Sequence, residues 1–169
     1  SNLYVKDAGK TAMLLYTLEK EASNSVGILA QANGKGSGGY MMRNTLALND
    51  GTFTMYEYDS SRSSARYAYK LEAAQDTMAK DLAQYNAQGQ TGYRFLQPLV
   101  TGDGQFNLYA HDASQSARFD WESQSDTATT LAELTQQAND QGAKNYRYVG
   151  GMAYGSANVY NLYVKPSNC

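Results

Sequence analysis

Cysteine, histidine and tryptophan each occur once in the 169 residues, and proline only twice. A single cysteine excludes an internal disulfide, so packing must hold the chain together. A single histidine, His111, excludes a histidine-based metal cluster; zinc would have to recruit distant carboxylates and Cys169. No apolar run approaches the roughly 20 residues of a membrane-crossing helix. Neither sign of charge dominates: 14 Lys and Arg stand against 16 Asp and Glu, a net charge of −2. Such a balance provides no field for a polyanion, so nucleic acid is not an expected partner. No Gly-x-Ser-x-Gly elbow is present to support a serine nucleophile. The abundant residue is tyrosine, with 15 copies against 4 Phe.

Much of that surplus is periodic. Leu3-Tyr4-Val5-Lys6-Asp7 returns as Met55-Tyr56-Glu57-Tyr58-Asp59, as Leu108-Tyr109-Ala110-His111-Asp112 and as Leu162-Tyr163-Val164-Lys165-Pro166, at steps of 52, 53 and 54 residues. Tyr40, Tyr93 and Tyr146 keep the same beat, as do Asn33-x-x-Gly36, Asn86-x-x-Gly89 and Asn139-x-x-Gly142. Three markers at one period define a tandem repeat.

Within a unit, the alternation of Leu14, Tyr16 and Leu18, of Tyr67, Tyr69 and Leu71, and of Phe119 and Trp121 predicts a first strand. A helix follows, marked by Met78, Leu82 and Tyr85 in the second unit, starting near Asp76 or Thr77. In the third unit Leu131, Leu134 and Ala138 mark it, with Thr130 and Glu133 spaced as a capping box. Val26, Leu29 and Ala30 are interrupted by Gly27, so the first helix is expected to be the shortest. Gly36, Gly89 and Gly142 are expected to be left-handed residues that end the helices. A second strand starts at the Tyr marker. Asn49-Asp50-Gly51, Gly102-Asp103-Gly104 and Gly155-Ser156 form hairpin turns into a third strand, the Leu-Tyr string itself.

The expected fold is therefore α+β, with three βαββ repeats of about 53 residues in a pseudo-threefold or linear array and helices on one face of antiparallel sheet. The repeats span 8–59, 60–112 and 113–169 with the C-terminal tail, in one compact domain. Residues 1–7 are an extra copy of the third strand. Either an earlier repeat precedes them, or the extra strand completes another unit's sheet and closes the array; the second is preferred because an unpaired strand exposes a ladder edge. The helix-to-strand step Leu82 to Tyr93, with Gly89-x-x-Gly92-Tyr93, resembles a family of very short bacterial βαββ domains of unknown function. In those domains a helix ends in Gly-x-x-Gly-Tyr or Trp before a hairpin. Leu29, Gly36, Gly39 and Tyr40 fit the pattern too, whereas Asn145 and Thr135 depart from it in the third unit. The resemblance implies a bacterial source and a βαββ unit, and no activity.

Several residues carry chemistry in principle. Gly34-Lys35-Gly36-Ser37-Gly38-Gly39 matches a dinucleotide fingerprint, but it follows a helix instead of opening one, so it reads as a turn and no cofactor is expected. His111 occupies a slot held elsewhere by Lys6, Tyr58 and Lys165 and is expected on a solvated strand position. Asp7, Asp59 and Asp112 recur at strand exits, where they cap the next turn. Asp120 and Glu122 belong to an expected solvated face. Alternation along the third strand sends Leu3, Met55, Leu108 and Leu162 to one side and Tyr4, Tyr56, Tyr109 and Tyr163 to the other. If the helices cover the first side, the second is an open tyrosine surface, with Arg94 and Arg147 beside it, suited to stacking on a glycan or protein ligand. The expectation is a non-catalytic binding or structural module using these residues, periplasmic or secreted by its Tyr-, Asn-, Gln-, Ser- and Gly-rich, Lys-poor composition. The alternative is a carbohydrate-active hydrolase with an Asp/Glu pair in a cleft between repeats. The binding reading on this face predicts exposed side chains at Tyr56 and Tyr109, and burial of both under helices would remove it.

Overall fold

The computed structural model describes residue 9, residues 12–155 and residues 158–167. The first repeat contains strand β1 (Leu14–Lys20), helix α1 (Ser25–Ser37), and strands β2 (Tyr40–Leu48) and β3 (Gly51–Asp59). The second contains β4 (Tyr67–Ala73), α2 (Met78–Gln90), β5 (Arg94–Thr101) and β6 (Gly104–Asp112). The third contains β7 (Phe119–Ser125), α3 (Leu131–Gly142), β8 (Arg147–Tyr154) and β9 (Asn158–Pro166). Each repeat makes its own three-stranded antiparallel sheet with the third strand in the centre: β1-β3-β2, β4-β6-β5 and β7-β9-β8. Even the irregularities recur. One extra residue bulges from the second strand at Arg43, Leu96 and Val149.

Local chemistry explains the helix boundaries. Asn24, Thr77 and Thr130 each turn a side-chain oxygen onto a backbone N–H of the first turn, and Thr130 with Glu133 completes the capping box. The first helix is not the shortest: α1 and α2 have 13 residues each and α3 has 12. Gly27 lies in the first turn of α1, where the Asn24 carboxamide accepts its N–H (2.8 Å), so a flexible residue costs little there. Its buried face is Ile28, Ala32 and Gly36; Val26 is exposed. The left-handed residues are Gly39, Gly92 and Asn145, three positions beyond the expected ones. Gly36, Gly89 and Gly142 remain helical.

The sides of the sheets are as the alternation demands, but in the second and third repeats a helix covers each side, so the tyrosine side is not left open. Each helix crosses the tyrosine side of its own sheet. The Leu108 and Leu162 sides face the preceding repeat. Consequently the cores lie between repeats. One gathers Ala32 and Met42 with Tyr67, Tyr69, Leu108 and Ala110; the other gathers Tyr85 and Phe95 with Trp121, Leu162 and Val164. The second contains a Tyr85–Phe95 stack at 4.2 Å and a tilted Tyr85–Trp121 pair at 5.7 Å. The repeats thus follow in line, with α1 on β4 and α2 on β7.

Candidate functional site: the inter-repeat junctions

One amide from each of α1 and α2 joins its repeat to the next, and a second amide on every helix ties that helix to its own repeat. In α1, Asn33 Oδ1 accepts the N–H of Tyr69 (2.7 Å) while its Nδ2 donates to the Tyr69 carbonyl (3.3 Å). In α2, Asn86 does the same to Trp121, at 2.8 and 3.1 Å. Each asparagine therefore satisfies the outward backbone groups of an edge strand in the next repeat, which blunts that edge. Three residues on, the helix touches the same strand. A Cβ on Gly36 would lie 2.1 Å from the Tyr67 carbonyl oxygen, and one on Gly89 would lie 2.1 Å from that of Phe119. The recurring Asn-x-x-Gly is thus a docking motif, and the glycine serves close approach instead of chain reversal.

The second amide is a glutamine that the sequence reading overlooked. Gln31, Gln84 and Gln137 stand two intervals of 53 residues apart. Their Nε2 groups donate to the carbonyls of Lys20, Ala73 and Ser125 at 2.9, 3.0 and 3.2 Å. Gln84 Oε1 accepts the Tyr109 hydroxyl (2.7 Å), and Gln137 Oε1 accepts that of Tyr163 (3.0 Å). The second and third repeats thus give the buried tyrosine hydroxyl an acceptor on their own helix, whereas the Tyr56 hydroxyl has none among the described residues. Tyr56, Tyr109 and Tyr163 are 0% exposed, so the expected open stacking surface does not exist on them. Burial, with the charges of Glu19 and Glu21, pushes the Tyr56 hydroxyl up to about 12, and burial also raises Tyr109 and Tyr163. Tyr4 lies outside the described residues. Arg94 and Arg147 are exposed at the starts of β5 and β8. Burial, and then the charge of Arg147, lower the Arg94 guanidinium from its ordinary value.

The remaining candidates are also held by structure. Asp59 Oδ1 accepts the Ser61 N–H and Asp112 Oδ1 that of Ser114, at 2.8 and 3.0 Å, as turn caps. His111 is half-buried, unlike the solvated position expected for it. Its Nδ1 meets the Gly92 carbonyl at 3.0 Å, and its ring lies 5.3 Å from that of Tyr93. Asp120 and Glu122 are half-buried too: Asp120 takes a hydrogen bond from Gln90, and Glu122 takes one each from Gln124 and Gln141. Asp81 was missed altogether. It replaces Ile28 and Leu134 of the other repeats, so the signal was a break in the repeat's own pattern. Its buried carboxylate accepts from Gln75 N–H (3.0 Å), Asn107 Nδ2 (2.6 Å) and the Tyr154 hydroxyl.

That last bond distinguishes the two junctions. Between repeats 1 and 2, a groove of about 890 Å³ runs along the chain after β1, the N-terminal part of α1, and the hairpin ends of β2 and β5. Ser23, Asn44, Thr45, Thr52, Gln97 and Thr101 give it amide and hydroxyl groups, and Glu21 is its one carboxylate. In the next junction, the position of Thr101 is Tyr154, whose ring reaches across to Asp81. Among the described residues no group of His, Cys, Asp and Glu is disposed to hold a metal ion, and no helix is long and apolar enough to cross a membrane. Comparison of the chain with protein-family models, with curated proteins and with solved structures finds no match.

Proposed function

We propose that the chain is a non-catalytic, extracytoplasmic binding module, and that its ligand surface is the groove between repeats 1 and 2 instead of the tyrosine side. The observation that carries this reading is the difference between equivalent junctions: Tyr154 bonds across one to Asp81, while the other is left open, with amides and hydroxyls beside apolar side chains such as Ile28, Leu46 and Leu99 and the two charged residues Lys20 and Glu21. Neutral amides and hydroxyls suit a hydroxyl-rich, uncharged chain such as an oligosaccharide. Glycosidic cleavage needs two carboxyl groups across the bond, and the groove lining offers Glu21 alone. Tyr109, Tyr163, Gln84, Gln137, Asn33 and Asn86 hold helices and strands together, which favours the asymmetric groove over them as a ligand surface.

The test is a panel of neutral oligosaccharides, with extended peptides as a second arm, against the protein and Thr101→Tyr, which gives the open junction the side chain of the filled one. Saccharide binding that Thr101→Tyr abolishes supports the reading. Binding that survives the substitution, or no binding in either arm, overturns it.

A further inference from the structure

At the other end of the sheets from the groove, a smaller pocket of about 240 Å³ draws its walls from all three repeats. Met41 comes to it from β2, Arg94 and Leu96 from β5, Ala110 from β6 and Phe119 from β7. Its charged side chains are Arg62, Asp112 and Arg94. Arg62 and Asp112 form an ion pair. Burial alone would raise the Asp112 carboxyl, yet hydrogen bonds from Ser114 and the charge of Arg62 hold it below the ordinary carboxylate range. That pair is therefore charged and balanced within itself. Arg94 is not balanced: among the described residues its guanidinium makes no hydrogen bond, ion pair or ring contact. The neighbouring charge that acts on it is another cation, Arg147. His111 also reaches the wall, and its Nδ1–H is spent on the Gly92 carbonyl.

The equivalent place in the first repeat shows what Arg94 lacks. In the β5–β6 ladder Arg94 stands across from Ala110. The matching pair in the first repeat is Met41 and Glu57, and Glu57 is ion-paired with Arg43 at the bulge. In the second repeat the bulge residue is Leu96 and the carboxylate position is Ala110, so the cation has moved to Arg94 and its internal partner is gone. The third repeat keeps the arginine, at Arg147, but sets the bulkier Val164 across from it. Only the second repeat combines an unbalanced arginine with a small residue opposite.

We propose that this pocket binds a small monoanionic carboxylate with an aromatic body, its carboxylate on Arg94 and its ring among Tyr67, Leu96 and Phe119. A guanidinium offers two parallel N–H donors in the geometry of a carboxylate. Tyr67 and Phe119 provide ring surface at the same wall, and Leu96 and Ala110 provide aliphatic surface. The ligand is small because the cavity lies below the roughly 300–1,000 Å³ of pockets that take drug-sized molecules. It is a monoanion because Arg94 carries the one unbalanced charge and Asp112 repels a second negative charge. The site is separate from the groove, whose lining calls for an uncharged ligand.

NMR chemical-shift titration of the labelled chain with benzoate tests the site, with benzamide as the uncharged analogue and inorganic phosphate as the competing anion. Benzoate is expected to saturate at about millimolar concentration and to shift amides of β5 and β6 around Arg94. Benzamide and phosphate are expected to bind at least about tenfold more weakly. Arg94→Met, the residue of the first repeat at that position, is expected to weaken benzoate by at least about tenfold. Ala110→Glu restores the carboxylate that the first repeat has at Glu57 and is expected to do the same by occupying Arg94 from within. Circular dichroism checks that both variants are folded; if Arg94→Met is not, Arg94→Gln takes its place, and the arginine substitution decides if Ala110→Glu is unfolded. Absence of saturable benzoate binding, benzamide or phosphate binding as tightly as benzoate, or benzoate binding unchanged by the arginine substitution each overturns the proposal.

Discussion

Replacing Gly89 by alanine should destabilise the protein, although alanine is the better helix former. In an unobstructed helix the exchange gains about 1 kcal/mol. At Gly89 the new Cβ would lie 2.1 Å from the Phe119 carbonyl oxygen and 3.1 Å from its carbon, and ordinary contact begins at 3.4 Å. Helix and strand must separate by about 1.3 Å, the difference between 2.1 and 3.4 Å, and both sides of the contact are backbone. Overpacking of this kind costs about 1–3 kcal/mol. The separation also pulls Asn86 from Trp121, whose two hydrogen bonds are worth about 1 kcal/mol each. The net loss is about 2–4 kcal/mol, and the melting point should fall by about 5–15 °C. Gly142→Ala is the control, because its Cβ meets nothing within 4 Å; it should stabilise by up to about 1 kcal/mol. Urea unfolding followed by the fluorescence of Trp121, which is buried at this junction and is the chain's one tryptophan, measures both. If Gly89→Ala and Gly142→Ala agree within about 0.5 kcal/mol, the close-approach account of the repeated glycine is wrong.

Other outcomes follow from the same contacts. Asn33→Ala and Asn86→Ala should each lose about 1–3 kcal/mol in the same urea assay, because each uncovers a strand N–H and carbonyl, whereas Asn139→Ala should be neutral. Tyr109→Phe and Tyr163→Phe should cost about 1 kcal/mol apiece for the lost bond to glutamine; Tyr56→Phe should cost less, since its buried hydroxyl has no partner among the described residues. Tyr56 is raised from 10.0 to about 12 in the fold. Its contribution is therefore complete below pH 10 and lost as pH rises through 12, so phenolate absorbance should show a late step coincident with unfolding. Asp103 is lowered from 3.8 to about 2 by hydrogen bonds from Ser25 and Thr101, tying the second hairpin to α1. That tie should be intact above pH 3.8 and fail as pH falls through 2, and Ser25→Ala should flatten this acid limb.

The period, the strands, the hairpins and the caps of α2 and α3 were legible because each depends on neighbours in sequence. Thr77 and Thr130 cap where a cap was expected, and Leu14, Tyr67 and Phe119 open the first strands. What covers a face is not local. Alternation separates Leu108 from Tyr109, but which helix lies over which side depends on contacts distant in sequence, such as that of Gln84 with Tyr109. Phenol hydroxyls can be buried when a helix provides acceptors, and the 53-residue spacing of Gln31, Gln84 and Gln137 was the available clue. The same limit hid the meaning of Gly36 and Gly89. A glycine near a helix end resembles a terminator until the neighbouring strand is in place. The groove depended on still more distant information, the exchange of Thr101 for Tyr154 across equivalent hairpins.

Each backbone ladder closes within its own repeat, and among the described residues no strand of one repeat pairs with a strand of the next. Mechanically this makes the molecule a stack of stiff plates joined by side-chain seams. A load along the stack would be carried at each seam by the helix-to-strand contact and a few polar clasps: Asn33, Tyr69 and Asp103 at the first, Asn86, Asp81 and Asp120 at the second. The seams should part before any sheet unravels. The seam with Trp121 and Tyr85 interlocked should hold longer than the one that opens into the groove, so the chain has a built-in order of failure.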